Sequence, residues 1–438
     1  MRVAFRGAGS GVGELSWGQR ELWGGMLRQQ TWMPMGIVVP LPGGTTLDDV
    51  AAELRFVMER FPSMRTRLRL RADGPPLQVL SAEGSVPIEV VDGEDPGEVS
   101  RRLHEAPFDF GRDWPVRTAV VRRDGRLTHQ VTVVCHLVND GFGGVVLGRE
   151  LDRWRQAGRP AHPGPAPMPP LEQAGWQRSP AGRKQSATAL RYWERILRDI
   201  EPERFPGAVD PREPRHWQAG FTSRALHLAA LAVARRTGTD RTTVLLTAFA
   251  RALANATGIH PVVVRVVVSN RFRRSLADTV SPVSQPALCV LDVAGRSFDE
   301  AVAGTARRAL AAYKHAYYDP NDLDALLAAT NVDIACYFND RRPPSPDGTG
   351  PAPAAERIAA ALPHSEFWWM AKQDRPSERL FLTVEDDPAT VRLDLCGDTH
   401  HIPPAALEAC VRDMETLTVA AAGVAPGRAA STTRSAGG

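Results

Sequence analysis

The stretch that most constrains this chain runs from residue 131 to residue 150, where a strand pattern changes into a helix pattern. Val131 to Cys135 is a short run rich in β-branched residues, which is typical of a strand. Val145 to Trp154 carries apolar residues at helical spacing. A turn between a strand and a helix places its side chains at a sheet edge, where the N–H groups of the helix start favour negative charge. We therefore expect a strand–turn–helix unit with polar residues in the turn.

The turn contains His136, followed by Asp140 and Gly141. A histidine can exchange a proton near neutral pH. A glycine permits a backbone angle, or a close approach, that a Cβ would forbid. A histidine at a strand end can equally be a structural residue held by hydrogen bonds. These three positions alone leave open whether His136 carries chemistry.

Composition limits the class of protein. A chain of 438 residues is too long for one small core and predicts two domains or subdomains. The net charge of +3, without a basic block, suggests neither a nucleic acid nor a membrane as partner. No stretch reaches transmembrane length, and the first residues lack the apolar core of a signal peptide. We therefore expect a cytoplasmic protein.

The cysteines and histidines argue against a metal site. The five cysteines are odd in number and widely spaced, with no Cys-x-x-Cys, which disfavours both a disulfide framework and a zinc site. His400-His401 is the only histidine pair, and no carboxylate or cysteine falls at ligand spacing beside it. We interpret this pair as a surface turn before Pro403-Pro404, and we expect neither a metal nor a bound cofactor.

The order of predicted helices and strands suggests two α+β units of related design. The proline-rich stretch 161–170 can be neither helix nor central strand, so it is expected to connect a subdomain over residues 15–160 to another over residues 171–422. Residues 1–14 are Gly-rich and are expected to be flexible. Residues 423–438 are rich in small and polar residues and are expected to be disordered.

Seven short motifs together resemble those of a known family. They are Leu15 to Trp23, Phe61 to Thr66, Pro107-Phe108-Asp109, Cys135 to Gly141, Trp176-Gln177 with Tyr192-Trp193, Asn270-Arg271 and Tyr337-Phe338-Asn339. In this order they resemble the motifs of the condensation domains of nonribosomal peptide synthetases, within the chloramphenicol acetyltransferase-like superfamily. Leu15 to Trp23 resembles the family's Ser-x-x-Gln-x-x-Leu-Trp helix, and Cys135 to Gly141 resembles its His-His-x-x-x-Asp-Gly motif. Asn270-Arg271, after the valine run from His260 to Ser269, resembles its Asn-Arg motif. The resemblance extends over nearly the whole chain.

This resemblance implies an α+β fold with two acetyltransferase-like subdomains in a V around a central tunnel. It also implies acyl transfer, in which an amine or hydroxyl attacks a carrier-protein thioester and gives an amide or ester and a free thiol. The donor arm would be the phosphopantetheine of an acyl or peptidyl carrier protein, with coenzyme A as the alternative. No adenylation or carrier motif is evident, so we expect a free-standing, monomeric enzyme of specialised-metabolite biosynthesis that meets its carrier in trans.

The resemblance also assigns roles to single residues. His136 matches the catalytic histidine, which acts either as general base or as a group that orients the acceptor and stabilises the tetrahedral intermediate. Asp140 matches an aspartate that points away from the substrate and pairs with an arginine, here Arg271. The alternative for Arg271 is an arginine exposed to solvent. Gly141 matches the glycine whose backbone N–H faces the reacting centre, and Asn270 belongs to the structural support.

The chain departs from the family at Cys135, which stands where the motif has its first histidine. That position points into the core in the family, and strand alternation turns its side chain away from His136, so we expect a buried structural thiol. The rival interpretation is a nucleophile with His136 as its base. The segment from Val280 to Leu291 also departs from the family pattern. A catalytically inactive recruitment protein and an acyl-coenzyme A-dependent acyltransferase remain as alternative functions.

Overall fold

The predicted α+β class is confirmed by a computed structural model that describes residues 1–160, 167–205, 207, 210–343, 351–375 and 378–424. Contacts between residues divide the chain into two units. The first comprises Met1–Asp199, Val268–Pro286 and Lys314–Asn331. The second comprises Ile200–Val267, Ala287–Tyr313 and, from Val332 onward, the rest of the chain. Each unit has its own mixed β-sheet with helices.

The first half of the chain contains eight strands and six helices within the described residues. The strands are β1 (Arg2–Arg6), β2 (Gly11–Glu14), β3 (Pro34–Pro40), β4 (Thr66–Arg69), β5 (Leu77–Leu80), β6 (Glu83–Asp92), β7 (Val116–Arg123) and β8 (Arg126–Cys135). The helices are α1 (Trp17–Gln29), α2 (Leu47–Arg60), α3 (Pro96–Glu105), α4 (Gly141–Gln156), α5 (Pro170–Arg178) and α6 (Pro180–Asp199). Short 3₁₀ helices cover Pro62–Arg65 and His136–Val138.

The second half begins at β9 and ends at α12. The strands are β9 (His216–Ser223), β10 (Val262–Val268), β11 (Gln285–Leu291), β12 (Cys336–Asp340), β13 (Glu366–Gln373), β14 (Leu380–Glu385) and β15 (Val391–Asp398). The helices are α7 (Arg224–Thr237), α8 (Arg241–Thr257), α9 (Phe298–Tyr313), α10 (Pro320–Thr330), α11 (Ala355–Ala361) and α12 (Pro404–Ala421). Of these, α10 belongs to the first unit.

The sheet of the first unit has the order β1-β6-β7-β8-β3. Strands β6 and β7 are parallel, whereas β7–β8 and β8–β3 are antiparallel pairs. Val131, Val133 and Cys135 of β8 are buried in alternation with more exposed residues, as the pleat of a strand requires. Strand β8 ends at Cys135, so His136 follows at the end of a strand that is paired on both sides.

The expectation that residues 1–14 are flexible is wrong. Strand β1 pairs antiparallel with β6, and Val3 and Phe5 are buried in the core. Strand β2 pairs with β5 in a separate three-stranded sheet. The alternation of buried and exposed residues in β1 is short and is followed by several glycines, so it gives little sequence signal. The strand that pairs with β1 lies about 80 residues later in the chain.

The extent of the first unit also differs from the expected 15–160, because α5 and α6 group with it instead of with residues 171–422. Buried hydrogen bonds account for this: Gln177 accepts from the backbone N–H of Trp17 (2.8 Å) and donates to the Tyr317 hydroxyl (2.8 Å). Of the expected connector 161–170, residues 161–166 lie outside the described residues, and so does the expected tail from residue 425 onward.

The sheet of the second unit has the order β11-β10-β12-β14-β15-β9-β13. The valine run of β10 is buried, as expected of a central strand. Its one charged residue, Arg265, lies 4.7 Å from the ring centre of Tyr337 and donates to the Tyr337 hydroxyl. Helices α7, α8 and α12 pack against one another in this unit.

The turn expected at His400-His401 is present after β15. Carboxylates do lie beside it, because His400 Nε2 is 3.1 Å from Glu213 and His401 Nε2 is 3.8 Å from Asp398. The Glu213 contact has no signal in the sequence, since the two residues are far apart along the chain. Among the described residues, no cluster of histidine, cysteine and carboxylate side chains has a metal-binding arrangement, and no helix is both long and apolar enough to cross a bilayer.

Candidate functional site

The expected strand–turn–helix unit forms the centre of the site. Strand β8 ends at Cys135, one 3₁₀ turn covers His136–Val138, and α4 begins at Gly141. Asp140 is the N-cap of α4, and its side chain accepts a hydrogen bond from the N–H of Gly143 (2.7 Å). Aspartate is a preferred N-cap residue because its carboxylate satisfies N–H groups that have no partner within the helix. The helix therefore begins where the sequence supplies its cap.

His136 is half-buried, and a backbone carbonyl holds its ring. The Nδ1 atom lies 2.8 Å from the carbonyl oxygen of Asn139. Because a carbonyl can only accept, Nδ1 carries the hydrogen and donates it. In the neutral ring, Nε2 is then the nitrogen with the lone pair. This tautomer can accept a proton at Nε2.

The Asp140 carboxylate lies against Arg271, as the resemblance implies. Arg271 Nη2 is 2.8 Å from Asp140 Oδ1, and Nη1 donates to Oδ2 (3.1 Å). Both side chains are almost entirely buried. Oδ2 also accepts from the backbone N–H groups of Val283 and Ser284 and from the Ser284 hydroxyl, at 2.8–3.0 Å. The alternative of a solvent-exposed Arg271 is therefore wrong.

The net effect of these contacts is to lower the pKa of Asp140. Burial alone would raise this pKa, but the charge of Arg271 and the hydrogen bonds from Arg271, Gly143 and Val283 outweigh that contribution. The carboxylate is thus ionised at neutral pH and fully engaged with donors. Its geometry is that of a structural anion and not of a proton carrier.

Arg271 also holds the loop that supplies the other donors. Its guanidinium donates to the carbonyl oxygens of Thr279 (2.9 Å) and Ser281 (3.0 Å). The same loop meets α1 closely, because a Cβ built on Gly18 would lie 2.1 Å from the carbonyl oxygen of Pro282. The segment that departs from the family pattern is therefore fixed from two sides within the first unit.

Asn270 anchors the beginning of this loop. Its backbone adopts the left-handed region at φ +56°, which asparagine tolerates better than most residues. Its side-chain amide donates to the carbonyl oxygens of Val283 (2.9 Å) and Ala316 (2.8 Å). The Asn270 side chain thus connects the end of β10 to two later segments of the first unit by donating to their backbone carbonyls.

Cys135 is a buried thiol, as expected from strand alternation. It is 1% exposed and packs in a cluster with Leu15, Met26 and Leu137. Its Sγ lies 3.5 Å from the carbonyl oxygen of Trp32. Burial raises the pKa of this thiol to about 12, so it is protonated at neutral pH. Both observations disfavour the rival interpretation of Cys135 as a nucleophile.

A glycine is required where the backbone angle or a close contact excludes a Cβ, and the structure shows such a contact at Gly143 and not at Gly141. Gly141 does not have a positive φ, and a Cβ built on it would meet no atom within 4 Å. A Cβ on Gly143, in contrast, would lie 2.3 Å from Asn139 Oδ1 and 3.1 Å from Asp140 Oδ1. Gly143 is therefore the glycine that the cap needs. Its position three residues after the capping aspartate is the signal that could have identified it.

Removing the Asp140 carboxylate is expected to destabilise the first unit. Asp140→Ala leaves the charge of Arg271 buried without a partner, which costs about 3–5 kcal/mol. The matched control is Asp278→Ala, because Asp278 pairs with Arg149 at 2.6 Å while largely exposed, and it should cost less than about 1 kcal/mol. Urea unfolding at pH 7 measures both. Equal losses would contradict the structural assignment of the buried pair.

The same pair should make stability depend on acid. Because the folded-state pKa of Asp140 lies below its unfolded value, its contribution is present above about pH 4 and is lost as the pH falls through the folded-state pKa. Asp140→Asn should therefore flatten the acid limb of the stability profile relative to the wild type.

Two alanine substitutions separate the glycines of α4. Gly143→Ala is expected to cost about 1–3 kcal/mol, since the new Cβ overlaps the cap and forces it to shift. Gly141→Ala should change the free energy of unfolding by no more than about 0.5 kcal/mol. Thermal and urea unfolding of the two variants check this. A Gly141→Ala variant as unstable as Gly143→Ala would contradict the described packing.

Comparisons with known proteins agree with this arrangement. A family model, the condensation domain, matches residues 15–338. The chain is 29% identical over 190 residues to chondramide synthase cmdD of Chondromyces crocatus, and 28% identical over 252 residues to AMB antimetabolite synthetase AmbB of Pseudomonas aeruginosa. These alignments cover 41% and 54% of this chain, but only 5% and 20% of those much longer proteins.

Solved structures with low sequence identity share the fold. The condensation domain of the Monacolin K polyketide synthase MokA is 14% identical with a TM-score of 0.74, and the alignment covers 95% of this chain and 98% of that one. The SgcC5 protein of Streptomyces globisporus is 19% identical with a TM-score of 0.68, covering 94% and 98%. The X-domain from teicoplanin biosynthesis is 18% identical with a TM-score of 0.69, covering 94% and 95%. With the family match spanning most of its length, this chain belongs to the condensation-domain family.

Proposed function

We propose that this protein transfers an acyl or aminoacyl group from a carrier-protein thioester to an amine or hydroxyl acceptor. The observation that supports this is the ring of His136, whose Nδ1–H is committed to the Asn139 carbonyl so that Nε2 is the proton-accepting nitrogen. A general base needs this protonation state at the moment of attack. The proposal includes a carrier acting in trans, in the cytoplasm, within a specialised-metabolite pathway.

The proposed reaction balances without a cofactor. The acceptor nitrogen or oxygen attacks the thioester carbonyl carbon, and its proton passes to His136 Nε2. The carbon–sulfur bond of the resulting tetrahedral intermediate then breaks, and the proton passes to the leaving thiolate. The products are an amide or ester and the free thiol of the phosphopantetheine arm. In the alternative role, His136 orients the acceptor and stabilises the intermediate without taking the proton.

Gly141 supports the same reaction by leaving space at the start of α4. The first N–H groups of a helix have no partner within it, and they favour negative charge. A side chain at residue 141 would occupy the region in front of those groups, where a Cβ would meet nothing within 4 Å. We propose that the backbone N–H of Gly141 faces the oxygen that becomes negative in the intermediate.

Asp140, Arg271 and Asn270 contribute indirectly in this proposal. They fix the turn that carries His136 and the loop beside it, and the saturated carboxylate has no capacity left for a substrate. They are therefore positioning residues. His136 differs from these residues because the Asn139 carbonyl sets its tautomer, which places the lone pair of the neutral ring on Nε2.

Replacing His136 separates catalysis from recruitment. His136→Ala should lower kcat about 100-fold or more, the usual scale for a positioned acid–base group, while the thermal unfolding midpoint stays near that of the wild type. The matched control is Cys135→Ala, one residue away in the apolar core, which should keep most activity. Near-normal turnover by His136→Ala would favour an inactive recruitment protein. An acyl adduct on Cys135, detected by mass spectrometry, would restore the nucleophile interpretation.

The donor is tested by comparing carrier-bound and coenzyme A-bound acyl groups. Carrier proteins are typically acidic, and this chain has a net charge of +3 with arginine as its main cation, so kcat/KM for the carrier donor should exceed that for the matching acyl-coenzyme A. It should also fall as salt rises. Equal efficiency with both donors, independent of salt, would favour an acyl-coenzyme A-dependent acyltransferase.

A further inference from the structure

A basic cavity lies in the second unit, between the end of β11 and α9. Its volume is about 340 Å³, within the range of small-ligand sites. Arg307 and Arg308 of α9 line it, together with Arg296 and Asp292 from the segment before that helix. Gly304, one helical turn before Arg307 and Arg308, also lines it, so that no side chain fills this part of the cavity.

The charges around this cavity do not cancel. Asp292 is already paired, since its carboxylate is 2.9 Å from Arg296 Nη2 and 2.8 Å from His260 Nε2. Within the part of the chain that the structure describes, Arg307 and Arg308 take part in no ion pair. Arg307 and Arg308, both exposed on α9, thus line the cavity without a carboxylate partner among the described residues. Such an excess of positive charge favours the binding of an anion from solution.

Thr305 provides a second, independent observation. It lines the cavity, is 2% exposed, and its hydroxyl has no hydrogen-bond partner in the described structure. Buried helical threonines elsewhere in this chain, Thr247 and Thr418, donate to the carbonyl four residues earlier. A buried hydroxyl without a partner is costly, so the Thr305 hydroxyl is available to a group bound in the cavity that it lines.

We propose that this cavity binds a phosphate ester. Arginine matches phosphate geometry with paired N–H groups, and a threonine hydroxyl can donate a further hydrogen bond to a phosphate oxygen. The phosphate could come from a small molecule such as a coenzyme A-type nucleotide, or from the phosphodiester of a carrier-bound phosphopantetheine arm. The second source rests on the proposed acyl transfer, whereas the first does not. The shared chemistry is recognition of a phosphate dianion or diester by two guanidinium groups.

The binding test uses the full chain and titration calorimetry. Inorganic phosphate is the first probe, with sodium chloride at equal ionic strength as the blank. Arg307→Gln combined with Arg308→Gln should weaken binding at least tenfold. The matched control is Arg357→Gln on α11, since Arg357 is exposed and has no ion pair among the described residues. Binding that is not saturable, or a double variant that binds like the wild type, would overturn the proposal.

Two neutral substitutions test the cavity without altering its charge. Gly304→Leu places a side chain where a Cβ meets nothing within 4 Å, so it should abolish phosphate binding while the melting temperature holds or rises. Thr305→Val should weaken binding several-fold and not lower the melting temperature, because it removes a hydroxyl that has no partner. A lower melting temperature for Thr305→Val, or unchanged binding by Gly304→Leu, would contradict the assignment.

The two sources of phosphate are then distinguished with coenzyme A and a phosphopantetheine-loaded carrier protein. If the double arginine variant loses affinity for coenzyme A alone, the ligand is a free nucleotide. If it loses affinity for the loaded carrier and not for the unloaded one, the ligand is the carrier arm. Binding and turnover are measured separately. Loss of phosphate binding by the double arginine variant tests this cavity, whereas loss of turnover by His136→Ala tests the proposed acyl transfer. If the double variant binds coenzyme A and the loaded carrier as the wild type does, neither source uses this cavity and the proposal fails.

Discussion

The buried Asp140 carboxylate is the constraint on which the site depends. A charge with 3% of its residue exposed is stable only when donors surround it, and here six hydrogen-bond or ion-pair contacts come from a helix start, a guanidinium and a loop. Any displacement of α4, of Arg271 or of the loop at Val283 would leave part of that charge unsatisfied. A single ion thereby selects one arrangement of the start of α4 and the much later stretch from Arg271 to Ser284.

That selection explains how the reactive histidine is held. His136 contacts Asn139 through a backbone carbonyl, and Asn139 immediately precedes the capping aspartate. Because the cap fixes the backbone at Asp140, it also fixes the carbonyl that determines the tautomer of His136. The structural anion and the imidazole ring are thus coupled through one peptide segment. The two requirements of the site are thus met by different residues. The Asp140 carboxylate holds the segments in place, and the His136 ring is left to take part in chemistry.

Local patterns in the sequence predicted the features that short segments determine. The strand–turn–helix unit around His136 forms as residue type and spacing indicate, and the valine-rich strand turns Cys135 into the core. The donors at Val283 and Ser284 could not be predicted in the same way, because backbone N–H groups carry no residue signature. The pairing of β1 with β6 and the grouping of α5 with the first unit depend on contacts between distant segments. Gly143 could have been told from Gly141 by its spacing from the capping Asp140, whereas the crowding that excludes a Cβ there is visible only in the structure.

The cysteine in the motif follows from the same division of the strand into two faces. Its position is an apolar one, and an imidazole there would have to bury a polar ring among Leu15, Met26 and Leu137 with a partner for each nitrogen. A thiol at that position needs no such partners and behaves as a small apolar group. The next residue belongs to the 3₁₀ turn, where the Asn139 carbonyl determines the chemistry of the ring. Loss of the first motif histidine therefore changes the core side of the strand and leaves the arrangement around His136 intact.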